Sequence, residues 1–369
     1  MKFTCSKSEL ISAASNVSGA ISPSSIAALE GYYIRTVENQ LYIGGYNLDL
    51  GISTLINAKV EVPGDIVLNA SLFLNIVRKL PDEVIYFESD DKNIAKIKSG
   101  ETEYSVISIP GSEFPEMMRV VENKKLSISE STLKTLIRQT KFAVAKDGTN
   151  PIYTGILFEM KNKKITAMAV DGYRLAMSSE DIGSEEESRF IVPEKTLSEI
   201  MKMLGDDSEE NVEIIIGNRT ISFEINGYTF ISRTLDGEFR DYRSSIPTDD
   251  STVIKVKTKS IRDLIDRISP VVNDRLMSPM RLIFADNQIK ASCSTAIGTA
   301  SDRISAEISG ARVEIGFSNR YLLEALRACE SDEIKIVLSG PLSPMKILPS
   351  QGDGFLFLVL PVRLKTENI

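Results

Sequence analysis

The side chains of this chain that could carry chemistry are carboxylates, lysines and hydroxyls. None of the 369 residues is a histidine, which removes serine–histidine catalysis and the usual zinc ligand. Asp171, Asp236 and Asp241 could form an acidic site, although acidic loop residues are usually only solvated. No phosphate-binding Gly-x-x-x-x-Gly-Lys or Gly-x-Gly-x-x-Gly motif occurs. We therefore predict a protein that is not an enzyme and has no cofactor and no metal. A carboxylate-dependent enzyme using Asp171 and Asp241 is the alternative.

Basic residues recur at equivalent positions along the chain. Three pairs seven residues apart, with five of six sites basic, are Ser71 and Arg78, Lys195 and Lys202, and Arg320 and Arg327. Further basic residues on predicted helices are Lys134, Arg138, Lys141 and Arg262. The whole chain is acidic, with a net charge of −8 and a pI near 5.0, which argues against a general nucleic-acid coat. The recurrence predicts a local surface that contacts phosphates without reading bases, and a solvated helix face is the alternative.

These basic residues lie on a helix that the sequence repeats three times. Its apolar residues follow the i, i+3, i+4, i+7 spacing of a helix with one buried face. The three stripes are Phe73-Ile76-Val77-Leu80, Leu197-Ile200-Met201-Leu204 and Leu322-Ala325-Leu326-Cys329. They are 124 and 125 residues apart, a spacing that indicates a copied domain rather than a solenoid unit. The basic sites lie roughly opposite the stripe, because successive helical residues are about 100° apart.

An earlier helix recurs in the same order, with a short strand before each copy. Its buried positions are predicted at Leu10, Ala13, Ala14 and Val17; at Leu133, Leu136, Ile137 and Thr140; and at Ile261, Leu264, Ile265 and Ile268. Two helices among several β-branched strands predict an α+β fold with three tandem domains, each with two helices and an antiparallel sheet. We place the domains at residues 1–122, 123–249 and 250–369.

Composition favours a cytoplasmic protein. The chain is 42% hydrophobic and 25% charged, which is ordinary for a soluble globular protein. No apolar run approaches the roughly 20 residues that span a membrane, and the first residues lack a signal-peptide pattern. The three cysteines, Cys5, Cys293 and Cys329, are odd in number and far apart in sequence, which is typical of a reducing compartment.

Four segments carry a further signal: Met1 to Thr4, Ala169 to Ala176, Asp236 to Arg243 and Leu358 to Leu364. They resemble segments of the bacterial sliding clamp family, the beta subunit of the replicative DNA polymerase III. Domain number, domain length and motif order agree with the family over essentially the whole chain. The resemblance implies the DNA clamp fold and a processivity factor for DNA replication. Two copies would form a head-to-tail ring whose helices line a channel for duplex DNA. The basic residues above would face that channel.

The resemblance also implies contacts with proteins. Short peptides of the polymerase, the clamp loader and repair proteins would enter a pocket between domains two and three. The pocket residues implied are Tyr153, Val170, Gly172, Tyr173, Arg174, Leu175, Leu358, Leu360, Pro361, Val362, Arg363 and Leu364, with the two arginines orienting polar groups of the peptide. The homodimer contact would join Tyr104 and Val106 of one protomer to Val271 and Val272 of the next. No membrane contact is expected.

The chain departs from the family pattern at a few positions. Val170 stands where threonine is common, and Arg240 stands where proline is common. The chain also continues through 365–369 beyond the usual C-terminal Arg-Leu. These differences concern peptide preference more than pocket position. A protein-binding scaffold without a DNA role stays open as a further alternative.

Overall fold

Each copy of the repeat folds with two helices among antiparallel strands, which confirms the predicted fold class. The computed structural model describes residues 1–146, 149–206, 208–272 and 279–364, and the C-terminal extension at 365–369 lies outside the described residues. The first copy contains β1 (Lys2–Ser6), α1 (Lys7–Val17), β2 (Gly31–Val37), β3 (Gln40–Tyr46), β4 (Leu50–Val62), β5 (Asp65–Asn69), α2 (Ala70–Lys79), β6 (Val84–Ser89), β7 (Ile94–Ser99), β8 (Thr102–Ile107) and β9 (Ile109–Pro110).

The other two copies repeat this order. The second contains β10 (Lys124–Ser129), α3 (Glu130–Lys141), β11 (Gly155–Lys161), β12 (Lys164–Val170), β13 (Arg174–Asp181), β14 (Ser188–Pro193), α4 (Glu194–Met201), β15 (Asn211–Ile216), β16 (Thr220–Ile225) and β17 (Tyr228–Arg233). The third contains β18 (Thr252–Lys257), α5 (Thr258–Ile268), β19 (Met280–Ala285), β20 (Gln288–Thr295), β21 (Gly298–Ser305), β22 (Glu307–Gly310), β23 (Val313–Phe317), α6 (Asn319–Ala328), β24 (Glu333–Leu338), β25 (Met345–Pro349) and β26 (Phe355–Val359). Short 3-10 helices include Pro151–Thr154 and Ser269–Val271.

The helices bury the stripes that the spacing predicts. Every predicted apolar position of the two repeated helices is buried except Met201, which is half-buried. The Ser6 side chain caps α1 by accepting the Glu9 N–H, and Pro270 lies in the 3-10 turn that follows α5. Burial of the stripe, rather than helix propensity, therefore explains why these short helices form. None of the helices in the described ranges is long and apolar enough to cross a membrane.

Each copy builds two sets of strands. One set joins the first strand of the copy to its last three, in the orders β1-β6-β7-β8, β10-β15-β16-β17 and β18-β24-β25-β26. The other set runs β5-β2-β3-β4, β14-β11-β12-β13 and β23-β19-β20-β21. The hairpin registers match across the copies, since Tyr46 pairs with Gly51, Val170 with Leu175 and Ser294 with Thr299. The three copies therefore share one topology.

The last strand of a copy also pairs with the preceding copy. β17 pairs with β4, which places Ser232 opposite Leu50, and β26 pairs with β13, which places Val359 opposite Arg174. Leu50 and Arg174 are equivalent residues, 124 apart, so the two junctions use the same register. Sheets therefore continue from one copy into the next.

The chain divides into two compact units that do not follow the copies. The first contains Met1–Glu130 and Lys195–Thr234, and its strands form a 13-stranded sheet. The second contains Ser131–Glu194 and Leu235–Ile369, with a 9-stranded and a 4-stranded sheet. The division passes through the second copy because β17 belongs to a sheet of the first copy, while β13 belongs to a sheet of the third.

Two strands lack the second partner that their equivalents have. β17 and β26 pair on both sides, whereas β8, their equivalent in the first copy, pairs only with β7 among the described residues. In the same way, β4 and β13 pair with a strand of the following copy, whereas β21 pairs only with β20 within the described ranges. β8 and β21 thus each have one backbone edge that no described strand pairs with.

The three cysteines are expected to react slowly with iodoacetamide in the folded protein. Each is buried, and burial raises the pKa of the Cys5 and Cys329 thiols to about 12. Labelling needs local opening, so native rates should be at least about 100-fold lower than rates in urea. Mass spectrometry over time measures both rates. Rapid native labelling of Cys329 would contradict the packing of α6.

Candidate functional site

Predicted peptide-site residues from the second and third copies meet in one apolar cluster of the second unit. Val170, Leu175 and Leu358 are buried in it, and Tyr153 packs against it. The pairing of β13 with β26 brings them together, because its register places Leu175 opposite Leu358. The other members are Ile152, Leu157, Met168, Ile191 and Phe239, with Met177, Leu235, Tyr242, Ile246 and Leu356 partly buried against them. The second and third copies therefore share one buried apolar core in this unit.

Three aromatic rings line one side of this cluster. The Tyr153 ring lies 5.2 Å from the Phe239 ring and 6.2 Å from the Tyr242 ring, both in edge-on geometry. Edge-on aromatic pairs are favourable beyond the area that they bury. Burial, with a hydrogen bond to Tyr153, raises the pKa of Tyr242 to about 12. The Tyr242 phenol is therefore held by the second copy's own aromatic residues.

The C-terminal segment at 360–364 is attached at two points. The Leu360 N–H donates to the Tyr173 carbonyl at 2.9 Å, and the Val362 N–H donates to the Gly316 carbonyl at 2.8 Å. Gly316 permits this approach, because a Cβ there would lie 2.6 Å from the Val362 carbonyl oxygen. Pro361, Val362 and Leu364 are half-buried, while Leu360 and Arg363 are exposed. This segment is therefore fixed to the turn before β13 and to β23.

Arg174 makes its contacts within the protein. Its side chain is only 2% exposed, and its Nε lies 2.9 Å from Asp171 Oδ2. Its guanidinium also forms an ion pair with Glu324 of α6 and lies over the Phe142 and Tyr321 rings. Arg174 is therefore a positioning residue that joins β13 to α6. Arg363, in contrast, is exposed.

Asp171 holds the turn that presents Tyr173. Its Oδ1 accepts the backbone N–H groups of Tyr173 at 2.9 Å and Arg174 at 3.1 Å. Gly172 has a φ of +89°, which favours glycine at this turn. Asp241 likewise accepts the Arg243 backbone N–H at 3.0 Å. These aspartates have structural roles in turns, and the described residues contain no group of three or more His, Cys, Asp or Glu that could hold a metal.

Sequence reasoning missed Tyr321 of α6. Tyr173 is 60% exposed and stacks on the Tyr321 ring, with centroids 5.6 Å apart and an interplanar angle of 23°. A comparison of the three copies could have identified it, because the equivalent residues in the other two copies are the non-aromatic Leu72 and Thr196. An aromatic residue at one of three equivalent positions indicates a role peculiar to that copy.

The helices carry the positive charge that the repeat predicts. α1 to α6 together contain twelve lysines and arginines and seven aspartates and glutamates, a net charge of +5 in a chain of −8. The predicted DNA-contact residues that are exposed are Arg78, Lys195, Lys202, Arg320 and Arg327, and those half-exposed are Lys134, Arg138, Lys141 and Arg262. The acidic excess therefore lies outside the helices.

Several of these basic residues form ion pairs in the free protein. Lys202 pairs with Glu199 at 2.5 Å, Lys141 with Glu194 at 3.3 Å and Arg327 with Asp266 at 3.4 Å. Arg138 pairs with Glu330. Such exposed pairs contribute little stability, so a phosphate can replace the carboxylate at small cost. The exchange favours weak phosphate contacts over tight ones.

The predicted subunit-contact residues lie beside the two free strand edges. Tyr104 and Val106 lie on β8, where both are half-buried. Val271 and Val272 follow α5 near the start of β21, because the Val271 carbonyl accepts the Thr295 hydroxyl at 3.1 Å and a Cβ on Gly298 would lie 3.4 Å from Val271 Cγ1. Each predicted pair is therefore next to an unpaired edge.

Family models match nearly the whole chain in three parts. The N-terminal domain of the DNA polymerase III beta subunit matches residues 1–118, its central domain matches 127–241, and its C-terminal domain matches 243–363. The matched parts follow the order of the three copies.

Individual proteins are similar over their full length. A beta sliding clamp of Bacillus subtilis is 32% identical, over 98% of this chain and 100% of that protein. The crystal structure of a DNA polymerase sliding clamp from Bacillus subtilis has a TM-score of 0.95 and 31% identity, covering 99% of this chain and 100% of the other. A putative DNA polymerase III beta subunit from Eubacterium rectale has a TM-score of 0.94 and 30% identity over the same shares.

Proposed function

Since the chain belongs to the DNA polymerase III beta subunit family, the bacterial sliding clamps, we propose that it encircles duplex DNA and tethers the replicative polymerase, the clamp loader and repair proteins to it. Membership confirms the predicted family, the three tandem clamp domains and a non-catalytic role. The alternative of a carboxylate-dependent enzyme is set aside with it. The proposal includes a cytoplasmic location, where bacterial chromosomes are replicated.

The charge on the helices carries the DNA part of the proposal. A net +5 on six helices within a chain of −8 attracts phosphates locally, while the acidic remainder repels DNA elsewhere. Phosphate contacts are independent of sequence, as sliding requires. Because the basic residues exchange ion pairs rather than form a deep binding site, the contacts stay weak enough for movement along the duplex.

Two copies of the chain are proposed to close the ring by joining β8 to β21 of the partner. The two junctions within the chain, β17 with β4 and β26 with β13, supply the expected register. Val106 is equivalent to Ser232 and Val359, and Gly298 is equivalent to Leu50 and Arg174. The same register therefore places Val106 opposite Gly298 across the subunit contact.

The side chains that this register brings together are complementary. It places Tyr104 opposite Ala300, both half-buried, and Ile107 opposite Ile297, which are 84% and 71% exposed in the single chain. It also places Arg303 opposite Glu101, an attractive cross-strand pair. A slip by one residue would set exposed side chains against half-buried ones. Tyr104, Val106, Val271 and Val272 thus stay our proposed contact residues, now with Ile107 and Ile297.

The peptide site is proposed at the apolar cluster between β13, β26 and the segment at 360–364. Leu175 and Leu358 supply its buried floor, the three aromatic rings supply one wall, and Leu360 supplies exposed apolar surface. Arg363 is exposed beside it and can pair with an acidic or C-terminal carboxylate. This arrangement fits a short extended peptide with Leu or Phe anchors.

Retention on DNA tests the topological proposal. After loading, we expect the protein to stay on closed circular DNA at a salt concentration that removes electrostatic contacts, and to leave within seconds of linearisation. Gel filtration of the DNA–protein complex before and after cleavage measures both states. Equal retention on circular DNA and on linear DNA with free ends would overturn the proposal.

A variant with Lys195, Lys202, Arg320 and Arg327 all changed to Gln tests the helices proposed to face DNA. Unchanged sliding of this variant would favour a scaffold without a DNA role.

A further inference from the structure

One side chain of α6 contacts both proposed surfaces. The Tyr321 ring stacks on Tyr173 at the peptide site, and the Arg320 guanidinium lies over the same ring, 4.9 Å from its centroid. Arg320 is exposed and belongs to the basic residues proposed to face DNA. Arg174 also lies over Tyr321, at 4.5 Å. A basic residue of the DNA surface therefore shares an aromatic partner with the peptide site.

We propose that Tyr321 couples the two surfaces, so that DNA in the channel raises the affinity of the peptide site. The inference rests on the proposed function, because it assumes that Arg320 faces DNA and that Tyr173 borders the peptide site. It goes further by assigning regulation to a named contact: Arg320 holds Tyr321 and Tyr173 in place in the absence of DNA, and a phosphate removes that contact.

The physical reason is a competition for the Arg320 guanidinium. A guanidinium over an aromatic ring is attracted only modestly at an exposed position, whereas its hydrogen bonds to a phosphate are charge-assisted. A duplex in the channel therefore draws Arg320 away from the ring. Tyr321 keeps Arg174 as a partner, so the loss loosens the stack with Tyr173 without unfolding α6.

The Tyr173 turn can respond to this loosening. A Cβ built on Gly172 has no neighbour within 4 Å, so the turn has open space around it. The carbonyl of Tyr173 accepts the Leu360 N–H, so a shift of Tyr173 moves the exposed Leu360 at the border of the peptide site. Loss of the Arg320 contact thus lowers the cost of adjusting Tyr173 and Leu360 to an entering peptide.

The coupling is confined to the third copy. Leu72 and Thr196 stand at the positions equivalent to Tyr321 and have no aromatic ring. Arg327 lies on the same helix and pairs with Asp266 at 3.4 Å, a residue of α5 rather than of the peptide site. Arg327 therefore provides a matched control: it can lose a phosphate contact without changing the Tyr321 stack.

Fluorescence polarisation of a labelled hexapeptide ending in Leu-Phe tests the inference, with and without a saturating 30-base-pair duplex. We expect the duplex to tighten peptide binding by about two- to five-fold, the ratio that corresponds to one exposed cation–π contact. Thermodynamic linkage requires the peptide to tighten duplex binding by the same factor. In Arg320→Gln the peptide should bind two- to five-fold more tightly without DNA, and the duplex should not tighten peptide binding further. In Arg327→Gln the duplex should tighten peptide binding by the same factor as in the wild-type protein.

Three outcomes separate the inference from the proposed function. If the wild-type protein binds both ligands but the duplex leaves peptide affinity unchanged, the coupling is wrong and the clamp proposal stands. If the duplex tightens peptide binding to Arg320→Gln as much as to the wild-type protein, the contact between Arg320 and Tyr321 is not the link. If the wild-type protein binds neither peptide nor duplex, the proposed function fails and the inference fails with it. In Tyr321→Leu, which removes the ring, the duplex should also leave peptide affinity unchanged.

Discussion

Replacing Arg174 with methionine is expected to lower the free energy of unfolding of the second unit by about 3 kcal/mol, at the lower end of the range for breaking a buried ion pair. The guanidinium is 2% exposed, while the side chains of Asp171 and Glu324 are 11% and 28% exposed. Without Arg174 both carboxylates lose their partner in a partly dehydrated site. Water reaches Glu324 more readily than Asp171, which places the effect at the lower end. The midpoint of urea denaturation measures the loss.

Two companion variants separate the charge effect from the loss of packing. Arg363→Met removes an exposed arginine from the same region and should change stability by less than about 0.5 kcal/mol. Adding Asp171→Asn and Glu324→Gln to Arg174→Met neutralises the stranded carboxylates and should restore most of the lost stability. An unchanged urea midpoint in Arg174→Met alone would show that the network holds nothing in place. Peptide affinity should fall with stability in Arg174→Met and recover in the triple variant.

Replacing Ile107 with aspartate is expected to convert the proposed dimer into monomers. In the proposed register Ile107 lies opposite Ile297 of the partner subunit. The new carboxylate would therefore face an apolar side chain and have no polar partner. Burying an unpaired polar group costs about 2 to 3 kcal/mol or more, which raises the dimer dissociation constant at least roughly 30-fold. Sedimentation velocity across a range of protein concentrations measures the shift.

Matched controls test the register rather than apolar exposure alone. Leu342 is 73% exposed but lies in the turn between β24 and β25 rather than on β8 or β21, so Leu342→Asp should leave the dimer intact. Arg303→Glu should weaken the dimer by setting like charges opposite each other, and Glu101→Lys in the same chain should restore it. A dimer that tolerates Ile107→Asp, or a charge exchange that does not restore pairing, would contradict the register.

The sequence predicted the features that depend on local periodicity. The three stripes identified α2, α4 and α6 and their buried faces, because a helix face is readable within a few residues. Strand pairing between copies was not predicted. The partner of β17 lies far away in sequence, and alternation of apolar and polar residues predicts a strand without identifying the strand that pairs with it. The basic residues were predicted, but their ion pairs were not, because Arg138 and Glu330 meet only in the folded chain.

The proposed peptide site shows the same division. The resemblance identified Arg174 but implied contact with the peptide, whereas burial and two carboxylates give it an internal role. Tyr321 could have been found by comparing the three copies position by position, since it replaces Leu72 and Thr196. Its two contacts, with Tyr173 and with Arg320, depend on side-chain directions that the repeat does not encode.

The sharing of strands between copies decides how this protein can be cut. A fragment ending at residue 122 would keep β4 but remove β17, and would leave the long edge of β4 open to pairing with other chains. Residues 123–249 alone would lose the partners of both β17 and β13. Fragments made at the repeat boundaries are therefore prone to aggregate, although each is a complete copy by sequence. A fragment should instead retain the strand that completes each sheet. The pairing of strands, rather than the boundaries of the sequence repeat, therefore indicates which parts can fold independently.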